Sequence, residues 1–389
     1  MSIYLDNSAT TMICEEALNK YIELSRECFG NPSSLHAMGY SAEKEINAAR
    51  QTLLNSLGAK GSEVVFCASG SEANNLAIFG RAEAKERYKK GSRIITTDSE
   101  HASVFAPLDK LASIGYEIVK IPTRGGTLDL NALQNALTKN TILVTFMMVN
   151  NETGAIYDMA SAANLIHALA PEALFHVDAT QSYLKVPFTK RSIGADLITV
   201  SSHKIEGPKG VGALVIDPNV IKTRGIAPQI LGGGQEKGYR SGTENVPAIA
   251  AFGKAIEINY ASLSTNREKI SSIKKYLWDK LEHEDILNTI SITKPAISAP
   301  HIINITLPGI KSETMLHFLS SKGIFVSSGS ACSSNSQHVS SALVAFGRTP
   351  DEADHSLRIS LSHRNQISDI DALCEALKEG LSKLARVKK

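Results

Sequence analysis

The sequence has little that would mark a membrane, nucleic-acid-binding or disulfide-bonded protein. Its five cysteines are an odd number without a CxxC pair, which argues against disulfides and a zinc site and favours a reducing cytoplasm. The longest apolar run, residues 142–149, is too short to span a bilayer. The N-terminus has no basic segment before an apolar one, so we expect no secretory signal. A formal net charge of only +2 predicts no nucleic-acid partner.

What the chain does have is length and an ordinary globular composition. Its 389 residues are 43% hydrophobic and 21% charged, enough for a large domain and a smaller one. We predict a large domain over 16–255 and a smaller α+β domain over 256–389. An N-terminal segment, 1–15, is expected to pack with the smaller domain.

Short apolar runs alternate with amphipathic stretches over the first part of the chain. This alternation predicts an α/β fold with a mainly parallel seven-stranded sheet that is covered on both faces. The predicted strands are 63–68, 93–98, 116–122, 141–149, 174–179, 196–202 and 210–217. The predicted helices are 71–88, 102–113, 129–138 and 158–169, the third opened by Asp129. After a long helical stretch at 246–284, the predicted strands are 302–308, 323–328 and 357–362 and the predicted helices 312–321, 337–346 and 368–386.

Polar side chains follow five of the predicted strands. Ligands of open parallel sheets bind beyond the carboxyl ends of the strands, so these residues are expected to meet at one site. They stand in the segments "SGSEANN" (69–75), "SEHAS" (99–103), "NNETG" (150–154), "DATQS" (178–182) and "SSHK" (201–204).

Lys204 is the most informative of them. It follows a strand that should be buried, and Gly207, Pro208 and Gly210 would hold the backbone in a fixed turn. A lysine held in a partly desolvated cleft has a lowered pKa and becomes a Schiff-base nucleophile, which suggests pyridoxal phosphate (PLP). The alternatives are an ordinary surface lysine and the neighbouring Lys209, which lies inside the turn and further from the strand.

PLP needs a carboxylate near its pyridine nitrogen, and Asp178 at the end of a strand qualifies. A capping aspartate is the alternative interpretation. Gln181 could donate to the phenolic oxygen. His101 is either a helix-proximal structural histidine or a ring that stacks on the cofactor and shuttles protons.

A phosphate site is suggested by Gly70 and Ser71, which open a predicted helix whose free N–H groups and dipole favour an anion. Ser201 and His203 could add hydrogen bonds. The Gly-Ser pair alone is equally consistent with a simple helix cap.

Two further residues stand apart from the strand ends. Cys332 lies in "SSGSACSSNS" (327–336), a Ser/Gly run with little to pack, so its thiol is predicted to be exposed, mobile and reactive. Arg358 lies in the predicted strand 357–362 and could clamp a substrate carboxylate through two hydrogen bonds. The other four cysteines stand in apolar or helical surroundings and are interpreted as inert.

Taken in order, these motifs resemble those of the cysteine desulfurases of the NifS/IscS type, which are PLP-dependent class V aminotransferase-like enzymes of fold type I. The resemblance covers nearly the whole chain, from "YLDNSATT" (4–11) to "LRISLS" (357–362). It includes "HVDATQS", "SSHKIEGPKG", "GGGQEKGYRSGTENV" and "SSGSAC".

The resemblance implies a role for each matching residue. Lys204 would bind PLP covalently, and Cys332 would attack the sulfur of the bound cysteine, leaving alanine and an enzyme persulfide for an acceptor protein. Thr243 would reach the phosphate of a partner subunit in a homodimer. The implied cofactor-binding residues are Gly70, Ser71, His101, Asp178, Gln181, Ser201 and His203. Those implied for the substrate carboxylate are Asn31, Asn151 and Arg358.

Some positions depart from the usual pattern of that family. Glu206 stands where an aromatic residue or histidine is common, and "SHR" (362–364) replaces a usual Gly-Arg. Tyr239 is also atypical. Other class V activities, such as selenocysteine lyase, sulfinate desulfinase or aminotransferase, need no cysteine nucleophile, so Cys332 argues against them. An inactive scaffold is the remaining alternative, against which Lys204 and Asp178 argue.

Overall fold

The computed structural model describes residues 2–84, 91–328 and 339–384. Its strands are β1 (Ile3–Tyr4), β2 (Glu63–Cys67), β3 (Arg93–Thr97), β4 (Glu117–Ile121), β5 (Thr141–Met147), β6 (Leu174–Asp178), β7 (Leu197–Ser201), β8 (Gly212–Ile216), β9 (Ser291–Thr293), β10 (Ile302–Thr306), β11 (Ile324–Phe325), β12 (Ser327–Ser328) and β13 (Ser356–Ser360). Seven of them form one sheet in the order β2-β8-β7-β6-β5-β3-β4. Only β8 runs antiparallel to its neighbours, so the prediction of a mainly parallel seven-stranded sheet is confirmed.

Both faces of the large sheet are covered, as a parallel sheet requires. The helices are α1 (Glu15–Glu27), α2 (Ala37–Ser56), α3 (Gly70–Glu83), α4 (Ala102–Ser113), α5 (Leu130–Ala136), α6 (Met159–Leu169), α7 (Lys190–Ile193), α8 (Pro218–Lys222), α9 (Val246–Ala261), α10 (Leu263–His283), α11 (Ser312–Ser321), α12 (Ser341–Phe346), α13 (Pro350–Asp354) and α14 (Ile367–Leu384). Along β2, Val64 and Phe66 join the core formed with α2, α5, α6 and α9, whereas Val65 and Cys67 pack toward α3. This alternation follows from the two-residue period of a strand.

A four-stranded sheet, β12-β13-β10-β9, forms the second layer of strands. It packs with α10, α11 and α14 around a core of its own. The N-terminal segment lies against this part: β1 pairs with β11, and Leu5 belongs to the same core. None of the described helices is long and apolar enough to cross a membrane.

The helical stretch predicted at 246–284 is two helices rather than one. The helix is interrupted at Ser262, which is the C-cap of α9 and the N-cap of α10. Because α9 packs on α1 and α2 while α10 packs on α14, we propose that the boundary between the two domains lies at this junction rather than at 255.

Several elements escaped the sequence patterns, notably α1, α2 and the short strand β1. The predicted cap of α5 is present, since the side chain of Asp129 accepts a hydrogen bond from the Ala132 N–H at 2.8 Å.

Candidate active site

A cavity of about 480 Å³ opens at the carboxyl ends of the parallel strands. Arg358 and Ser327 of the second sheet lie across it, and the N-terminal segment adds Asp6, Ser8 and Ala9. The structure therefore brings together most of the residues predicted to form the site, namely Gly70, Ser71, His101, Asn151, Asp178, Gln181, Ser201, His203, Lys204 and Arg358.

Lys204 lies in a single 3₁₀ turn, Ser202–Lys204, which directly follows β7. Its Nζ donates to the carbonyl oxygens of Ser8, at 2.6 Å, and Ala9, at 2.8 Å. Glycine is required at position 207, because a Cβ there would lie 2.1 Å from the Ser202 hydroxyl. The amine is thus held at a fixed point of the cavity, whereas the competing Lys209 is exposed to solvent.

Asp178 ends β6 and is buried at the cavity. One carboxylate oxygen accepts from the Asn74 amide at 2.8 Å, and the other from the Thr180 N–H at 2.9 Å. The Asn74 nitrogen also donates to Ser103, at 2.9 Å. These donors hold the carboxylate in place at the cavity, where a carboxylate beside the pyridine nitrogen of PLP is required.

His101 is the N-cap of α4, and its Nδ1 accepts from the Ser103 N–H at 3.1 Å. In the neutral ring the proton therefore lies on Nε2. Burial lowers the pKa of His101; Asp178 opposes this shift, while Lys204 and Arg358 add to it. The imidazole is consequently neutral near pH 7 and can accept or donate a proton.

The amino end of α3 offers a site for an anion. A Cβ at Gly70 would lie 3.2 Å from the Ser201 side chain, so glycine leaves room there. The Ser201 hydroxyl is buried without a hydrogen-bond partner among the described residues, and it lines the cavity. Burial lowers the pKa of His203 to about 4, and Lys204 and Lys185 contribute to the shift, so this ring is a neutral hydrogen-bonding group. The donor set fits a phosphate group bound at a helix terminus.

Arg358 is almost fully buried on β13. Its guanidinium donates to a carboxylate oxygen of Asp6 at 2.9 Å and to the Asn151 carbonyl at 3.0 Å. Its Nε has no partner among the described residues. A buried guanidinium that lines the cavity can bind a carboxylate.

Three predicted site residues are not part of this cavity. Thr243 and Asn31 are exposed, and the Asn31 side chain accepts from the Ser33 N–H at 2.9 Å. Cys332 lies outside the described residues. Sequence reasoning also missed seven polar residues that line the cavity, although all stand within the motifs above: Asp6, Ser8, Ser69, Asn74, Ser103, Thr180 and Ser327.

Comparison with known proteins agrees with this geometry. A family model described as Aminotransferase class-V matches residues 3–373. Cysteine desulfurase IscS of Methanosarcina thermophila is 36% identical over 98% of this chain and 93% of its own length. The chain belongs to the cysteine desulfurase family.

Solved structures of this family have the same fold. A NifS-like protein superposes with a TM-score of 0.90 at 33% identity, over 98% of this chain and 100% of that one. SspA, solved in complex with cysteine, superposes with a TM-score of 0.78 at 30% identity, over 92% of this chain and 99% of that one. Enzymes of this class depend on PLP, and the donors around Lys204 fit that cofactor.

Glu206 and the segment 362–364, which were both interpreted above as atypical for the family, lie in contact. Glu206 is buried, and its carboxylate lies 3.0 Å from the Arg364 guanidinium and 3.3 Å from the His363 ring. His363 and Arg364, which follow β13, thereby give the buried Glu206 carboxylate partners of opposite or potential positive charge.

Proposed function

We propose that this chain binds PLP at Lys204, removes the sulfur of L-cysteine to leave L-alanine, and carries that sulfur as a persulfide on Cys332. The observation that supports this most is the single cavity shared by Lys204, Asp178, His101 and Arg358. It combines an amine, a carboxylate, a neutral imidazole and a guanidinium at one place, which is what PLP chemistry on an amino acid requires.

Each cofactor-binding residue has a distinct task in this proposal. Asp178 would pair with the pyridine nitrogen and Gln181 with the phenolic oxygen, while Ser71, Ser201 and His203 would hold the phosphate. Bound PLP would act as an electron sink for the carbon atoms of the substrate. His101 would stack on the ring and move protons to and from the substrate.

The substrate carboxylate would bind at Arg358, whose guanidinium can form two parallel hydrogen bonds with a carboxylate. Asp6 occupies part of that guanidinium in the structure, so the substrate competes with it. The Asn151 carbonyl keeps the guanidinium in place from the other side.

Sulfur transfer would need a thiol near the cavity. Ser327 lines the cavity, and five residues of extended chain reach at most about 18 Å, which allows Cys332 to approach the substrate. A bond would form between Cys332 and the substrate sulfur, the bond between that sulfur and the substrate Cβ would break, and the carbon would take up a proton. The four described cysteines are poor carriers because burial raises the pKa of each thiol: Cys14, Cys28, Cys67 and Cys374.

We further propose that the protein works as a homodimer in the cytoplasm. Exposed apolar side chains, including Phe29, Leu35 and Tyr40, cluster in one segment of the chain and could be covered by a second copy. Thr243 would then reach the partner's phosphate. The acceptor of the sulfur would be an iron–sulfur scaffold or a thiolation enzyme.

Intact-mass spectrometry after brief exposure to L-cysteine tests the proposal. We expect one added sulfur atom per chain on Cys332, and sulfide and alanine in equal amounts when a thiol reductant is present. Cys332→Ala should retain bound PLP but release no sulfide, whereas Cys28→Ala should behave like the wild type. The proposal is wrong if the added sulfur maps to another cysteine or if Cys332→Ala turns over normally.

A further inference from the structure

A second, smaller cavity of about 40 Å³ adjoins the active site at Lys204, which lines both. The smaller cavity is also lined by Lys185, Glu206 and His301. Both ring nitrogens of His301 are buried without a partner among the described residues. Much of the lining is apolar, but the space holds room for about three water molecules beside these polar groups.

Lys185 connects this cavity to the cofactor site through Gln181. Its Nζ donates to the Gln181 side-chain oxygen at 3.3 Å. The Gln181 nitrogen donates to the Ser8 carbonyl at 2.9 Å, and Lys204 donates to the same oxygen at 2.6 Å. Because an amide oxygen can only accept, Lys185 fixes the Gln181 amide with its nitrogen toward the Ser8 carbonyl, beside the Lys204 amine.

The charge of Lys185 is also poised to change near neutrality. Burial lowers the pKa of Lys185 to about 7; Lys204 and Arg358 act in the same direction and Glu206 opposes them. The remaining titratable or charged groups around the smaller cavity are Arg267, His301 and His363.

Lys274 provides an internal comparison. It is a second lysine whose pKa burial lowers to about 7. Its amine donates to the Ser298 hydroxyl and to the carbonyls of Ala299 and Ile302, which lie just before or at the start of β10. Those contacts hold the segment 298–302, whereas Lys185 donates to Gln181, a residue that lines the active-site cavity.

We propose that Lys185 is a positioning residue for the cofactor: it orients the Gln181 amide, and a change in its charge alters the absorbance of bound PLP through Gln181 and Lys204. This inference rests on the proposed binding of PLP at Lys204. It gives this half-buried lysine a task that an apolar side chain of equal size could not perform.

The test compares Lys185→Met, Lys185→Gln and Lys274→Met in the PLP-bound protein. The wild type and Lys274→Met should show a step in visible cofactor absorbance at or above pH 7, because bonding of Lys204 to PLP removes one charge that lowers the pKa of Lys185. Both Lys185 variants should lack this step. Lys185→Met should bind PLP about tenfold more weakly, since the Gln181 amide loses its fixed orientation. Lys185→Gln, which keeps an N–H donor without a charge, should retain most of that affinity.

A readout without cofactor separates positioning from burial. In the apo protein, each lowered lysine pKa makes the free energy of unfolding rise between pH 7 and pH 10, because the unfolded chain holds more protons there. Lys185→Met and Lys274→Met should both flatten this slope in the apo protein. In the PLP-bound protein, only the Lys185 variants should change the cofactor absorbance.

The inference fails if Lys185→Met keeps both the absorbance step and the wild-type PLP affinity, or if Lys274→Met also loses the step. Should Lys185→Met not fold, Lys185→Gln still decides, because retention of the step there contradicts the proposal. If the wild type itself binds no PLP at Lys204, the proposed function is wrong. If the wild type binds PLP there but the Lys185 variants keep its absorbance step and affinity, only the inference on Lys185 is wrong.

Discussion

Two walls of the cavity differ in how their residues are held. One wall, proposed to hold the cofactor and called the cofactor wall, lies at or just after the ends of strands of the large sheet. It consists of Gly70, Ser71, His101, Asp178, Gln181, Ser201, His203 and Lys204. Their positions follow from backbone hydrogen bonds and short turns. The substrate wall consists of Asp6, Asn151, Ser327 and Arg358, and it depends on an ion pair between the N-terminal segment and β13.

The difference suggests how the work is divided. A rigid sheet edge suits a resident cofactor, which needs fixed donors and little rearrangement. The ion pair of Asp6 and Arg358 can exchange one carboxylate for another, which suits a substrate that enters and leaves. Disrupting each wall in turn should therefore give distinct defects.

The largest effect is expected at Lys204, the centre of the cofactor wall. Lys204→Ala should lower turnover of L-cysteine by at least about 10³-fold, because both the covalent attachment and a proton-transferring group are lost. Borohydride reduction of the wild type followed by peptide mapping should place the pyridoxyl group on Lys204. Lys209→Ala is the matched control, and a pyridoxyl group on Lys209 would refute the assignment.

Arg358→Ala should disrupt the substrate wall alone. Losing a charged contact in a desolvated site costs about 2–5 kcal/mol of binding, so the KM for L-cysteine should rise steeply. The absorbance of bound PLP should stay as in the wild type. Arg348→Ala, which removes an ion pair with Glu352 outside the cavity, serves as control. An unchanged KM would mean that Arg358 has a structural role only.

The cofactor wall could be foreseen from sequence because its residues directly follow strands with clear apolar patterns. Lys204, Asp178 and His101 needed only the rule that ligands bind beyond the strand ends, and the structure places them around one cavity. Their individual roles remain predictions.

On the substrate wall, Asn151 and Arg358 were predicted, but the contact of Arg358 with Asp6 was harder to foresee. No periodic pattern reveals that Asp6, near the start of the chain, lies 2.9 Å from Arg358, because that contact depends on β1 pairing with β11. The short β1 has too few residues to show a strand period, and the pairing is long-range. Likewise, nothing local indicates that Glu206 would be paired by His363 and Arg364.

A smaller effect of opposite sign is expected at Asp6. Asp6→Asn removes the carboxylate that competes with substrate for Arg358, so the KM for L-cysteine should fall about threefold to tenfold. The apo protein should lose about 1–3 kcal/mol of stability, because a mostly buried guanidinium loses its partner. Steady-state kinetics and thermal unfolding measure the two effects. A higher KM would show that Asp6 positions Arg358 for the substrate rather than competing with it.

The smallest effect concerns His203, on the cofactor wall. Its pKa is about 4 in the folded chain against an ordinary value of 6.5, mainly because of burial. Between these values the unfolded chain binds more protons, so His203 makes the apo protein less stable as the pH falls from 6.5 to 4. His203→Asn should make that decline shallower in urea unfolding at a series of pH values. His283→Asn, at an exposed position on α10, should leave it as in the wild type. An unchanged decline in His203→Asn would mean that the pKa of His203 is the same in the folded and the unfolded chain, which contradicts a ring kept neutral by burial down to about pH 4.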